Sequence, residues 1–528
     1  MTDDASALLA RVERLNEIGI ALSAEKDGVR LLEKILRSAK ELTHADGGTL
    51  YTVTANRTLQ FDIVSTDSLG ISLGGSTGEL ASFKPIPLYD ENGEPIRNMV
   101  VTYAFHANKT INIPDAYDAT QYDFSGTRKF DERTHYRTRS LLTIPLKNHE
   151  DHIIGVLQLI NATDPITREV VAFSSTDQQL AESLASQAAV ALTNQRLIAD
   201  LQKLFESFIQ LIATAIDEKS PYTGTHCKRI PVLTMMLAEA THAETEGPLA
   251  GFSMNDKDRY ELETAAWLHD CGKITSPEYV MDKATKLETI FDRIQLIDTR
   301  IELLKRDAEI EYLRAINNQQ TNEQVRIAYE QRLQQLNDDR DFLRRANIGG
   351  EFMTEADQAR VKTIAQYQWT NPEGERVNLL NPEELYNLSI PRGTLTPEER
   401  TIINNHMVAT IKMLESLPFP QHLARVPEYA GGHHERMDGK GYPKGLTRDQ
   451  MSVPARVMAV ADVFEALSAR DRPYKKGKTL SECLSIMRNM VKNQHLDPDI
   501  FDVFEKRKVY LDYAKQYMHP DQIDEAHA

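Results

Sequence analysis

Five histidines and two aspartates in the second half of this 528-residue chain are of the types that hold divalent metal ions: His226, the pair His269-Asp270, His406, the pair His433-His434, and Asp462. Imidazole nitrogens and carboxylate oxygens suit a range of divalent ions, and a set of this size is enough for a two-metal hydrolytic site. An ionised aspartate has two oxygens and can bridge two cations, whereas a neutral imidazole gives one nitrogen to one cation. Asp270 is therefore the natural bridge and His269 a ligand to one ion. Neighbours on a helix point about 100° apart, so His269 and Asp270 can share a metal only at a helix end or beside an inserted ion. Asp270 follows the apolar run Leu262, Ala265, Ala266, Trp267, Leu268, and Asp462 follows Val457-Met458-Ala459-Val460-Ala461. An unpaired carboxylate is costly in such surroundings. Lys273, one turn past His269-Asp270, is a candidate for contacting phosphate or its developing charge. Arg436 and Arg472 are candidates for bidentate grip on phosphate or a guanine edge. Each has an ordinary alternative: a polar helix cap for His226, a solvent-facing lysine for Lys273, a structural ion pair for either arginine.

The elements that must position these groups are mostly helical. From residue 178 onward the pattern is continuous helix, and Leu197, Leu201, Leu204, Phe208 and Leu211 alternate spacings of four and three, an a/d seam. That seam reads either as a paired coil between two copies or as core of the following domain. His226 comes after the turn-forming Ser220-Pro221-Tyr222-Thr223-Gly224-Thr225. His406 lies on a helix opened by Thr396-Pro397-Glu398-Glu399, a capped start. Gly431-Gly432 lets the backbone approach closely before His433. Between 287 and 392, Leu287, Ile290, Ile294, Ile297, Ile301, Leu304 and Ala308, then Tyr329, Leu333, Leu336 and Leu343, predict an inserted helical hairpin with a polar turn at Asn317-Asn318-Gln319-Gln320. Upstream, residues 5–43 read as helix. Thr49–Val53, Leu59–Val64, Ser140–Leu146 and Ile153–Ile160 read as strands, with loop and short helix over 65–98. The expected fold class is an α+β N-terminal domain, an antiparallel sheet flanked by helices, joined by a long helix to an all-α domain.

A formal charge of −17 argues against polymeric nucleic acid or an anionic membrane as the main partner. A small anionic substrate stays open, because bound metal ions invert the local potential. Cys227, Cys271 and Cys483 have no paired spacing, as in a reducing compartment. The acidic start Met1-Thr2-Asp3-Asp4 carries no secretory signal, and no run of about 18 apolar residues exists. The expectation is a cytoplasmic protein.

Gly432-His433-His434-Glu435-Arg436-Met437-Asp438-Gly439-Lys440-Gly441-Tyr442-Pro443, with His269-Asp270-Cys271-Gly272-Lys273 and Tyr222-Thr223-Gly224-Thr225-His226 upstream, resembles the HD-GYP family of cyclic dinucleotide phosphodiesterases. The likeness covers residues 197–280 and 393–510. It implies one divalent ion on His226, His269, Asp270 and Asp462, and a second on Asp270, His406, His433 and His434. Iron, manganese, nickel and zinc are not distinguished. Some members add a third ion through a carboxylate where Tyr222 stands, so two are expected. The implied reaction is hydrolysis of cyclic di-GMP to pGpG, with or without a further step to GMP, with Asp270 and Lys273 in catalytic roles and Lys273, Arg436 and Arg472 on the substrate. Glu435 and Asp438 read as ordering their loop.

Ile113-Pro114-Asp115-Ala116-Tyr117, Tyr136-Arg137-Thr138-Arg139-Ser140 and Gly155-Val156-Leu157-Gln158-Leu159-Ile160-Asn161 resemble a GAF domain of the subgroup found in mammalian phosphodiesterases and bacterial adenylyl cyclases. Of that subgroup's Asn-Lys…Phe…Asp-Glu signature, Asn161, Phe173 and Asp177 match, while Ala162 replaces the Lys and Gln178 the Glu. The resemblance implies a cyclic nucleotide or another small ligand; the other reading is a packing and dimerisation module with an empty pocket. The expected division is an N-terminal helix over 1–19, the GAF sensory domain over 20–195 and a linker helix over 196–215. The HD-GYP domain follows over 216–515 and includes the 287–392 insertion, with a tail over 516–528. A homodimer regulated by its GAF domain is the leading expectation. A non-catalytic signalling scaffold that binds a cyclic dinucleotide or a partner, and a hydrolase of another cyclic dinucleotide or nucleotide, compete with it.

Overall fold

Alternating side chains give the first half of the chain a sheet with two unlike faces. The computed structural model describes residues 2–77, 83–219, 226–318, 323–349, 352–470 and 477–524, with side chains from Leu9 onward. Its first elements are α1 (Thr2–Ala24), α2 (Gly28–Thr43), β1 (Ala45–Val53), β2 (Thr58–Thr66), β3 (Ile71–Gly74) and β4 (Ile86–Pro87). There follow α3 (Val100–Ala107), β5 (Ile111–Ile113), α4 (Ser125–Thr134), β6 (Leu141–Lys147), β7 (Ile153–Thr163), β8 (Val170–Val171) and α5 (Ser175–Lys219). The strands form one antiparallel sheet in the order β3-β2-β1-β7-β6-β5, with β4 on β2 and β8 on β7. Leu50, Leu142, Ile144, Leu157 and Leu159 share a core with Leu15, Ile18 and Leu22 of α1, Leu31 and Ile35 of α2, and Leu180 and Leu184 of α5. Their neighbours in sequence, Tyr51, Leu141 and Val156, lie in separate clusters, as a period of two requires.

The register slips between Leu50 and Tyr51, which pair with Ile63 and Phe61 and leave Asp62 as the extra residue of a bulge. Phe61 consequently packs with Tyr51, and Ile63 with Leu50. The helix expected over 5–43 is two helices. Asp27 ends the first segment's reach by accepting the N–H groups of Val29 (2.9 Å) and Arg30 (3.0 Å), which starts α2 afresh. The stretch 65–98 holds β3, a 3-10 turn Gly75–Thr77 and β4 besides loop.

The chain divides into two compact units, Met1–Phe205 and Glu206–Ala528. The second is helical: α6 (His226–His242), α7 (Asp256–Leu268), a 3-10 turn Cys271–Thr275, α8 (Glu278–Met281), α9 (Ile294–Asn317), α10 (Glu323–Asn347) and α11 (Glu355–Ala365). A two-stranded hairpin, β9 (Gln368–Thr370) and β10 (Arg376–Asn378), precedes α12 (Pro382–Leu388), α13 (Pro397–Asn404), α14 (His406–Glu415) and α15 (Val426–Gly431). The last are α16 (Val453–Ser468), α17 (Leu480–Lys492), α18 (Pro498–Lys506) and α19 (Val509–Tyr517). No helix among the described residues is long and apolar enough to cross a membrane. Cys227, Cys271 and Cys483 are buried free thiols.

The insertion is more than a hairpin. α9 and α10 pack together, and α11, the bend after the small sheet and α12 add Val361, Ile364, Leu379 and Leu388 to a core with Ile297, Ile301, Leu336 and Leu343. Ile290, expected on the helix face, lies before it and is 98% exposed; the helix begins at Ile294, whose N–H is held by Asp292 at 3.0 Å. Gln319 and Gln320 of the expected turn lie outside the described residues. Two buried lysines tie the insertion's base down. Lys283 pairs with Glu399 at 2.8 Å, and Lys286 donates to the carbonyls of Leu388 (3.2 Å) and Ile390 (2.7 Å).

Asp497 locks the C-terminal helices. One carboxylate oxygen caps α18 through Asp499 N–H (2.9 Å) and Ile500 N–H (3.1 Å); the other takes Arg448 Nε at 2.7 Å and Arg456. Burial raises the pKa of this carboxyl, but the two arginines and the backbone amides outweigh it and hold the value below the usual range. Because the folded pKa is depressed, the stabilisation is present above the unfolded value near 3.9 and lost as pH falls through the folded one. Asp497→Ala is expected to cost about 3 kcal/mol at pH 7 by urea unfolding, with the gap to wild type narrowing toward pH 3. Equal stabilities at pH 7 would remove Asp497 from this role.

Candidate metal centre

The helix end that a shared His-Asp pair demands is present. α7 stops at Leu268, His269 caps it, and Asp270 leaves the helical path (φ −106°, ψ 11°) to open the 3-10 turn Cys271–Thr275. That turn presses on the start of α14. A Cβ on Gly272 would fall 2.0 Å from the His406 carbonyl oxygen, so only glycine fits, and its N–H donates to Thr410 Oγ1 at 2.9 Å. His406 is the first residue of α14, His433 and His434 follow α15, Asp462 lies on α16 and His226 opens α6.

Three histidines are oriented by one device. The Nδ1 atoms of His269, His406 and His433 face the carbonyl oxygens three residues back, Ala266 (2.7 Å), Ile403 (2.5 Å) and Ala430 (2.6 Å). An Nδ1–H donated there leaves each Nε2 as the lone-pair nitrogen. His226 is fixed differently, its Nδ1 lying 2.5 Å from the carboxylate of Glu465. His434 is held by its ring, which stacks on Tyr442 with centroids 4.8 Å apart and planes 22° from parallel.

The imidazoles converge on Asp270. Its Oδ2 lies 3.1 Å from His269 Nε2 and 3.4 Å from His226 Nε2, while its Oδ1 lies 3.3 Å from His406 Nε2. Asp462 Oδ1 stands 3.4 Å from His226 Nε2 and 3.8 Å from His269 Nε2. Two groups of donor atoms, each within 4.8 Å of one another, result: His226, His269 and Asp270; and Asp270, His406, His433 and His434. Asp270 Oδ1, His406 Nε2 and His433 Nε2 are buried without a hydrogen-bond partner. Orphaned acceptors at this depth are destabilising by themselves and match what a cation needs. The residues present fit a divalent metal.

The charges agree. Burial opposes ionisation of Asp270, yet Lys273, His269 and His226 hold its pKa well below the usual carboxylate value; against burial, His226 does the same for Asp462. Burial pushes His433 well below 6.5 and His434 down to about 4, so both are neutral donors at pH 7. His226 is held well above 6.5 despite burial by Glu465, Asp270 and Asp462. Lys273, its Nζ 2.5 Å from Asp270 Oδ2, is raised by that carboxylate against burial.

Arg436 does not join the cluster. Its guanidinium forks onto Asp438 (3.1 and 3.0 Å) and reaches the Asn493 carbonyl at 3.2 Å, the structural ion pair that the sequence offered as its alternative. Arg472, and Tyr222 to Thr225 of the motif before His226, lie outside the described residues. Glu435 orders its loop, accepting Lys444 N–H at 2.7 Å and Leu446 N–H at 2.9 Å. Sequence reasoning missed Glu465 and the stacking role of Tyr442. Glu465 was findable, because Asp462 and a glutamate three residues on share one helix face.

In the first unit a cavity of about 310 Å³ opens on the sheet face away from α1, α2 and α5. None of Asn161, Phe173 and Asp177 lines it. Asn161 accepts Arg139 N–H (2.7 Å) and donates to Tyr136 Oη (2.8 Å) and the Arg137 carbonyl (2.9 Å). Phe173 packs in the opposite core, and Asp177 pairs with Arg11 at 2.6 Å and caps through Ser174. The sequence match at these positions thus falls on residues whose groups are engaged in hydrogen bonds, an ion pair and packing within the domain.

Residues 27–192 match the family model of the GAF domain and residues 377–500 that of the HD domain. The second match includes His406, His433, His434 and Asp462; His226, His269 and Asp270 lie upstream of it. The 3'3'-cGAMP-specific phosphodiesterase 1 of Vibrio cholerae is 42% identical over 24% of this chain and 27% of its own length. A cyclic di-GMP phosphodiesterase of Pseudomonas aeruginosa is 41% identical over 22% of this chain and 26% of its own. The 3'3'-cGAMP-specific phosphodiesterase 2 of Vibrio cholerae is 24% identical over 78% of this chain and 76% of its own. The chain thus spans about a quarter of the length of the first two relatives. The protein is built of a GAF domain followed by an HD domain. Its HD half resembles those of the cyclic di-GMP and cGAMP phosphodiesterases.

Removing the group behind a ligand should weaken metal binding without removing a ligand. Glu465→Gln is expected to lower affinity for manganese or zinc by about 10–100-fold in calorimetric titration of metal-stripped protein. Unchanged affinity would mean that His226 needs no such support.

Proposed function

We propose that the HD half is a metal-dependent phosphodiesterase that hydrolyses cyclic di-GMP to pGpG. The observation that carries the reading is the single carboxylate of Asp270 facing two groups of histidines from opposite oxygens. His226, His269, Asp270 and Asp462 would hold one ion, and Asp270, His406, His433 and His434 the other. When bound, a pair of divalent ions activates water and offsets the charge of a phosphodiester. The chain's part is to orient four imidazoles, through three carbonyls and Glu465, and to hold the shared carboxylate ionised. Lys273, partly exposed at the edge of the cluster, supplies a positive charge toward the bridging phosphate of the substrate. A second reading, hydrolysis of 3'3'-cGAMP, draws support from the two Vibrio cholerae relatives named for that substrate.

The GAF domain would regulate this activity within a cytoplasmic homodimer. The seam on α5 supports pairing, since Leu197, Leu201, Leu204, Phe208 and Leu211 are 48–63% exposed rather than core. Light scattering should give a dimer that Leu201→Glu with Leu204→Glu converts to monomer; a monomeric wild type overturns the paired coil.

The activity is tested with manganese- or iron-loaded protein, offered cyclic di-GMP and 3'3'-cGAMP side by side. Asp270→Ala should lower kcat/KM by at least about 100-fold, beyond the loss typical of a supporting partner. Undiminished hydrolysis by that variant overturns the proposed site. Metal-loaded wild type that binds but never cleaves either dinucleotide would instead make the protein a signalling scaffold.

A further inference from the structure

We propose that Lys219, in the last turn of α5, is a positioning residue for the hydrolytic centre: it pins the 3-10 turn that carries Lys273 and so aims that lysine at the substrate phosphate. The inference rests on the hydrolytic reading of the second unit.

α5 runs unbroken from Ser175 to Lys219, and from Glu206 onward it belongs to the second unit. There it has an inner side. Ile209, Ala213, Ile216 and Asp217 are buried, whereas Leu211 is 62% exposed. Spacings of four and three put Ile209, Ala213 and Ile216 on one stripe, and Lys219, three residues further, continues it. Lys219 is accordingly half-buried.

Its target is a carbonyl that the turn cannot satisfy by itself. A 3-10 turn bonds each carbonyl to the N–H three residues on. Lys273 N–H donates in this way to the Asp270 carbonyl at 2.9 Å, and Ser276 N–H to the Lys273 carbonyl at 3.0 Å. The residue three beyond Ile274 is Pro277, which has no N–H. Lys219 Nζ donates to the Ile274 carbonyl in its place. A lysine in the last turn also offsets the negative end of its helix, but that role asks for no particular carbonyl on another element.

Lys273 consequently stands between two anchors. On one side the Gly272 N–H is held by Thr410 Oγ1 of α14 at 2.9 Å; on the other the Ile274 carbonyl is held by α5. The metal-type side chains are fixed elsewhere, His269 by the Ala266 carbonyl and His406 by that of Ile403. Without Lys219 the turn keeps only its Gly272 anchor, and Lys273 swings with it while the ligands stay. A misplacement of about 1 Å in a group that acts on the transition state can cost about 100-fold in rate.

The test uses the manganese-loaded full chain and whichever of cyclic di-GMP and 3'3'-cGAMP the wild type cleaves. Lys219→Met, which keeps the stem and removes the donor, should lower kcat by about 10–100-fold with a smaller change in KM. Metal affinity, read by calorimetry, should stay at the wild-type value. Lys219→Arg keeps a donor and should restore most of kcat. Because Lys219 acts through Lys273, adding Lys219→Met to Lys273→Met should cost less than about threefold more. Four results each overturn the proposal: wild-type kcat in Lys219→Met, loss of metal affinity with it, no rescue by arginine, or full additivity with Lys273→Met. A wild type that cleaves neither dinucleotide overturns the hydrolytic reading and this inference with it, whereas a cleaving wild type matched by Lys219→Met overturns the inference alone.

Discussion

Two carboxylates buried among helices set the terms for the second unit. Asp270 and Asp462 are 2% and 8% exposed, and an ionised carboxylate at that depth is unfavourable by several kcal/mol unless cations and donors surround it. The surrounding architecture answers that requirement. α7 must end at Leu268 so that Asp270 can turn out of the helix, and Gly272 must lack a side chain so that the turn can lie on α14. Three of the histidine rings are held by carbonyls three residues back, so each helix that brings such a ring also aims it. Shift any one helix end by a residue and a ring nitrogen leaves the cluster.

The metal-type residues were legible in the sequence because their chemistry is scarce: adjacent histidines and a His-Asp pair have few structural uses. Glu465 was legible only as a neighbour of Asp462 on one helix face; its partner was not, because only the fold brings His226 to it. Arg436 forms the ion pair that its residue type left open as one of two readings. A guanidinium two residues from Asp438 had a near partner, and the loop closes on that pair. The extra layer of the insertion was missed although Asn371-Pro372-Glu373-Gly374 carries a turn signal between its two short strands. Strands of three residues give too little alternation to be read.

In the first unit the sheet was readable from period-two runs, but the use of its second face was not. A one-residue slip at Asp62 changes which side chains of β2 point where, and nothing in the local composition marks it. Asn161, Phe173 and Asp177 matched a family signature and turn out to be tied up in hydrogen bonds and packing. Asn161 bears on the cavity only at second hand, by gripping Tyr136.

The insertion interrupts the cluster's own sequence. Gly272 and Thr410, in direct contact, are 138 residues apart along the chain. Closing a flexible loop of that length would be slow, because contacts so distant in sequence must wait for a diffusive search. The segment between them has a separate core and brings its ends together through Lys283 and Lys286. Once it has collapsed, the loop to be closed is only a short stretch on either side. The inserted layer therefore works as a clasp: it lengthens the chain between the two halves of the centre without widening the gap across which they are held.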